Sequence, residues 1–120
     1  AASDVYKRQV YVSGGRTATG LSVTEWAQQA EQLGAGEILL TSMDKDGTKS
    51  GFAIDLLNEV CAVTSVPVIA SGGAGSREHF ADVFTQTQAT AALAASLFHY
   101  GELAIPDLKN YLKQLNIPIR

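Results

Sequence analysis

Apolar positions along this chain switch between short continuous runs and longer stretches with helical spacing. Gln9 to Ser13 alternates apolar and polar residues like a strand, and Gly14-Gly15 and Gly20 bracket a polar loop, GGRTATG. Val23, Trp26, Ala27, Ala30 and Leu33 then recur at helical spacing and predict one buried face. Ser22, with Glu25 three residues later, forms a capping-box pattern at the start of that helix, and Gly34 ends it. Ile38-Leu39-Leu40 is a short apolar run of the kind found in a parallel strand buried on both faces. Ile54, Leu57, Val60 and Cys61 mark a second helix. The next strand is Val66 to Ala70, with Pro67 near its start, where a missing N–H is tolerated. A helix over 76–87 carries Phe80, Val83 and Phe84, and Ala91 to Ala95 forms another short strand. The last helix opens near Pro106 and presents Leu108, Tyr111, Leu112 and Leu115.

The order is strand, helix, four times over. Such alternation predicts parallel strands joined by right-handed crossovers. In a parallel sheet the loops after the strands emerge on one edge, where ligands bind. Four β/α units fit either a small open doubly wound sheet or half of an eight-stranded barrel. The short strands with small residues (Ala70, Ala91, Ala92, Ala94, Ala95) suit a crowded barrel interior.

Composition narrows the function. With 120 residues, the chain has the size of one ordinary domain, and 46% hydrophobic against 18% charged residues argues against disorder. The formal net charge of −3, without a Lys/Arg stripe, argues against nucleic-acid binding. No apolar run approaches a membrane span of about 20 residues, and no basic segment followed by an apolar stretch opens the chain as a signal peptide would. The lone Cys61 excludes an internal disulfide and fits a reducing, cytoplasmic compartment. Residues 1–9, AASDVYKRQ, have no amphipathic period and read as a separate arm or foreign sequence before a domain over 10–120.

Two strand-end loops carry the candidate chemistry. DKDGTKSG offers Asp44, Asp46, Gly47 and Thr48; SGGAG offers Ser71, Gly72, Gly73 and Gly75. Acidic groups beside exposed backbone N–H groups suit a polar, phosphorylated small molecule. The plainer alternatives are a tight turn for SGGAG and a solubilising loop for the aspartates. Lys45 and Lys49 are solvated charges or an attraction for phosphate. His79 and His99 lack ligand spacing and read as structural, so neither a metal site nor a cofactor is expected. Cys61 reads as a small core residue.

From Val10 onward, VYVSGGRTATG, GAGEILLTSMDKDGTKSG, VPVIASGGAG and AALAASLFHYGE follow in series. In this order and spacing they resemble the cyclase subunits of imidazole-glycerol-phosphate synthases, enzymes of histidine biosynthesis. The resemblance implies the C-terminal half of a (β/α)8 TIM barrel. It also implies a reaction in which ammonia from a glutaminase subunit cleaves and cyclises a bis-phosphorylated ribulosyl intermediate. Imidazole glycerol phosphate and an aminoimidazole carboxamide ribotide are the products. Asp46 and Gly47 then belong to a substrate-contacting loop, with Asp46 hydrogen-bonding ribulosyl hydroxyls or relaying a proton. Ser71, Gly73, Ala95 and Ser96 belong to a phosphate site. Glu37 resembles one member of a charged ring that gates ammonia at the other end of the barrel. The family's catalytic aspartates stand at the ends of the first and fifth barrel strands. The first lies outside this sequence, and Asp4, in unmatched surroundings, is not given the second role.

Two rivals remain on the residues alone. One is the isomerase barrel of the preceding step, although TSMDKDGTKSG and AALAASLFHYGE resemble the cyclase. The other is a non-catalytic phosphate-binding half-barrel whose exposed sheet edges favour self-association.

Overall fold

The computed structural model describes residues 2–3, 9–12 and 16–120. They form one six-stranded sheet and five helices. The strands are β1 (Ala2–Ser3), β2 (Gln9–Val12), β3 (Thr17–Ser22), β4 (Ile38–Ser42), β5 (Val68–Ser71) and β6 (Ala91–Leu93). The helices are α1 (Val23–Gln32), α2 (Ile54–Val63), α3 (Arg77–Gln86), α4 (Ser96–His99) and α5 (Ile105–Gln114). Spatial order is β3-β2-β1-β4-β5-β6.

Four strands are parallel, as alternation predicts: β1 pairs with β4, β4 with β5 and β5 with β6. The first of them is not the expected one. Gln9–Val12 runs antiparallel to β1 and to β3, so it belongs to a hairpin rather than to a β/α unit. Of the expected loop GGRTATG, residues 17–20 belong to β3, while Gly14 and Gly15 lie outside the described residues. Side chains complete this ladder where its register slips between Gln9 and Tyr11. Thr19 Oγ1 donates to Val10 O at 2.6 Å, and Gly20 N–H donates to Gln9 Oε1 at 3.1 Å.

The helical faces follow the apolar spacing. Val23 and Ala27 of α1, Leu56, Leu57 and Val60 of α2, and Phe80, Ala81 and Val83 of α3 are buried, as are Leu108 and Leu112 of α5. They meet Leu40, Val68 and Ala70 of the sheet in one core. The ends of α1 depart from expectation. The Ser22 hydroxyl makes no capping bond to the backbone and pairs with Thr24 Oγ1 at 2.9 Å instead. Leu33, expected on the buried face, is the C-cap and is 82% exposed.

The register sorts the sheet residues into two faces. Leu40, Ala70 and Ala92 stand side by side on one face; Leu39, Ile69 and Ala91 stand on the other, with Thr41, Ser71 and Leu93. Consecutive right-handed crossovers carry α2 and α3 over the same face. On the other face Leu39 and Leu93 remain 44% and 45% exposed. Parallel strands are ordinarily buried on both faces, so this sheet presents an apolar surface that the described residues leave open. No helix among them is long and apolar enough to cross a membrane.

Candidate functional site

Parallel pairing places the ends of β4, β5 and β6 on one sheet edge: Thr41 is opposite Ser71, and Ser71 opposite Leu93. Three segments leave that edge. The first, 43–53, carries Asp46 and Gly47; the second, 72–76, follows Ser71 and carries Gly73; the third, Ala94-Ala95, leads into Ser96 at the first turn of α4. Six of the seven candidate site residues therefore share one edge. Glu37 stands apart, exposed and immediately before β4, at the other end of the strand.

The first loop is shaped by its own hydrogen bonds. Asp46 N–H donates to Ser42 O at 2.9 Å, which turns the chain back as soon as β4 ends. Thr48 closes the next turn twice on Lys45 O, through its N–H at 3.0 Å and its hydroxyl at 2.6 Å. Gly47 sits inside that turn and is exposed, as are Asp44 and Asp46. The carboxylate of Asp46 therefore stands at the surface of the loop, held by a fixed backbone.

The second loop lies beneath the first. Gly51 N–H donates to Gly73 O at 2.8 Å. Gly73 is buried, and a Cβ there would fall 2.0 Å from Gly51 O and 3.0 Å from Lys45 Cβ. At Gly75, a Cβ would fall 2.3 Å from Lys49 O. These approaches leave no room for a side chain, which is why SGGAG needs glycine at both positions. Ser71 is buried at the root of the loop. Nearby, the fully buried hydroxyl of Ser42 has no hydrogen-bond partner among the described residues.

An ion pair joins the first loop to the turn that follows α4: Lys49 Nζ lies 2.5 Å from Glu102 Oε1, with both side chains about 40% exposed. At the β6 end, Ala95 is exposed and Ser96 half-buried. Among the described residues, no acceptor meets the N–H of Gly73 or of Ser96. The edge thus combines two backbone donors without an acceptor among the described residues, one exposed carboxylate and a lysine already balanced by a glutamate. That set can hold an anion by backbone N–H groups and orient a neighbouring hydroxyl.

Gly51, His79 and Glu102 were not among the candidates. Gly51 closes DKDGTKSG, but its pairing with Gly73 depends on how two loops stack, which spacing does not encode. Neither His79 nor His99 belongs to a cluster: no group of three or more His, Cys, Asp or Glu suited to a metal occurs among the described residues. Cys61 is half-buried on α2, and burial pushes its thiol pKa up, partly offset by a backbone hydrogen bond involving Gln88. That suits a packing residue rather than a nucleophile.

Comparison with known proteins places these observations in a lineage. The family model for histidine biosynthesis proteins matches residues 1–104. The chain is 59% identical over 111 residues to the imidazole glycerol phosphate synthase subunit HisF of Streptococcus mutans serotype c, covering 92% of this chain and 44% of that protein. It is 57% identical over 111 residues to the subunit of the same name from a Hydrogenobaculum species, with the same coverage. The HisF of Alkaliphilus metalliredigens is 57% identical over 112 residues, covering 93% of this chain and 44% of that protein. The chain spans less than half the length of these curated relatives.

Proposed function

The chain belongs to the histidine biosynthesis protein family, and from that premise we propose that it is a piece of the cyclase subunit of imidazole glycerol phosphate synthase. It supplies the C-terminal half of the barrel and one phosphate-binding end of the active site. The observation that carries this reading is the shared sheet edge, with Asp46, Gly73 and Ser96 on three successive strand-end segments. The uncovered apolar face around Leu39 and Leu93 supports the half-barrel, since closing the barrel would bury it.

In this reading the intact enzyme uses ammonia from a glutaminase subunit to convert a bis-phosphorylated ribulosyl intermediate to imidazole glycerol phosphate and aminoimidazole carboxamide ribotide. One phosphate is held by the N–H groups of Gly73 and Ser96, with Ser71 at the root of the loop. Ala95, without a long side chain, leaves the approach to Ser96 open. Asp46 and Gly47 border the sugar: the Asp46 carboxylate accepts from a ribulosyl hydroxyl or relays its proton. Glu37, at the far end of β4, faces the glutaminase side and takes part in gating ammonia. A cytoplasmic location goes with this role and with the free thiol of Cys61.

Two experiments test the proposal. In an amide-shift titration with glycerol phosphate, Gly73 and Ser96 shift first; shifts confined to other segments overturn the site. In a steady-state assay with ammonia and the bis-phosphorylated substrate, the 120-residue chain turns over negligibly. Each missing positioned acid or base costs about 10²–10⁴ in rate, and the second phosphate no longer helps to align the substrate. Turnover equal to that of a full-length cyclase refutes this division of labour. A second copy covering the open face is also expected, and a strictly monomeric chain in sedimentation excludes it.

A further inference from the structure

An imidazole stands where the two site loops meet. His79 lies in the first turn of α3, and its Nδ1 accepts a hydrogen bond from Gly75 N–H at 2.9 Å. The ring also borders Gly51, where an added Cβ would meet His79 Cδ2 at 3.5 Å and Nε2 at 3.6 Å. Gly51 in turn donates its N–H to Gly73 O. His79 thus holds the 72–76 loop by a hydrogen bond and supports the 43–53 loop by packing, on either side of the Gly51–Gly73 bond.

We propose that His79 is a positioning residue: as a neutral imidazole it fastens the two loops together and so sets the direction of the Gly73 N–H toward a bound anion. The second half of this statement rests on the phosphate reading above; the first half does not. The chemistry fixes a sign. Accepting from Gly75 requires Nδ1 without a proton, whereas an imidazolium carries N–H groups at both nitrogens. Protonation therefore turns the Gly75 contact from donor-to-acceptor into donor-to-donor, and the loop loses its fastening. Charge alone argues the opposite, since a cation beside an anion site strengthens binding. The two explanations are separable by pH.

The neighbouring charges leave this test clean. The loop packed on the ring carries Asp44, Lys45, Asp46 and Lys49, with Lys49 paired to Glu102. On its own helix are Asp82 and the Arg77–Glu78 pair, 3.4 Å apart. Among side chains, only histidine ordinarily changes charge between about pH 5 and 8, and His99 is retained in every variant.

The experiment uses the 120-residue chain with sulfate as probe, an anion whose charge is constant over this range. His79→Asn offers Oδ1 close to the place of Nδ1 and does not titrate; His79→Leu offers no acceptor. From pH 8 to pH 5.5 the wild type loses sulfate affinity by about 3–10-fold, the worth of one hydrogen bond. His79→Asn binds like the wild type at pH 8 and stays flat within about twofold, while His79→Leu is weak throughout. In the ligand-free protein, Gly75 amide exchange is slow at pH 8 in the wild type and His79→Asn and fast in His79→Leu. Affinity that rises on acidification, or a Gly75 amide indifferent to His79→Leu, overturns the proposal. Should His79→Leu fail to fold, the wild type and His79→Asn carry the comparison. If no variant binds sulfate, the phosphate reading fails, and the Gly75 amide alone decides whether His79 fastens the loops.

Discussion

Gly73→Ala is the perturbation that the paired loops should tolerate least. Gly73 has a φ of +112°, in a region that side-chain-bearing residues occupy at a cost of about 1–3 kcal/mol. The added Cβ would lie 2.0 Å from Gly51 O and 2.8 Å from Gly51 C. Both are backbone atoms, so no rotamer change relieves the clash. A relaxed carbon contact needs about 3.5 Å, so Gly51 must retreat by roughly 1.5 Å on that scale. The Gly51 N–H bond to Gly73 O does not survive that movement, a further loss of about 0.5–1.5 kcal/mol. Together the two effects remove about 1.5–4.5 kcal/mol.

Gly47→Ala is the control, because it separates backbone strain from collision. Gly47 also has positive φ, +77°, but an added Cβ meets nothing within 4 Å. Only the left-handed strain of about 1–2 kcal/mol applies there. Equilibrium unfolding in urea, with slopes compared so that midpoints report stability, measures both variants. The expected order is wild type, then Gly47→Ala, then Gly73→Ala. If Gly73→Ala costs no more than Gly47→Ala, the loops do not pack as described, and they do not form a shaped anion site.

Leu112→Ala should cost about 2–5 kcal/mol, because Leu112 is 1% exposed in the core where α5 joins it; a loss under about 1 kcal/mol in urea would detach α5 from that core. Cys61 should react with iodoacetamide at pH 8 more slowly than free cysteine does, because burial raises its thiol pKa. The sign for stability follows: the raised pKa favours the folded thiol, a contribution complete below the unfolded value and lost as pH rises through the folded one. Mass spectrometry of alkylated protein reads the rate, and labelling as fast as free cysteine refutes the burial.

The sequence made some levels of this structure legible and hid others for physical reasons. Continuous apolar runs marked β4 and β5, and 3.6-residue spacing marked every long helix, because burial acts on both patterns directly. From their alternation came parallel pairing, and from that the common edge carrying Asp46, Gly47, Ser71, Gly73, Ala95 and Ser96, with Glu37 at the opposite end. The hairpin was hidden because its second strand, TATGLS, mixes threonines with a glycine and is mostly exposed. Ser22 and Glu25 matched a capping box, yet the hydroxyl found Thr24 first. Leu33 fits the helical period but falls where the helix has already ended. His79 had no partner in sequence spacing: its acceptor role is set at the start of α3, where extended Ser76 leaves the Gly75 N–H facing Nδ1, and its second contact comes from a separate loop.

The fastening of these loops is local, and on the proposed reading this bears on what half of a barrel retains. Asp46 to Ser42, Gly51 to Gly73 and Gly75 to His79 all lie between β4 and the first turn of α3. The Lys49–Glu102 pair adds the β6 side, although an exposed ion pair contributes only about 0–1 kcal/mol. The loops are therefore shaped chiefly by backbone bonds and glycine contacts within two adjacent β/α connections. The open face around Leu39 and Leu93 lies outside that set of contacts. On the proposed reading, closing the barrel supplies cover for that face, a second phosphate site and the principal acid–base groups. It does not have to shape the two loops that carry Asp46 and Gly73, whose hydrogen bonds lie within residues 42–79.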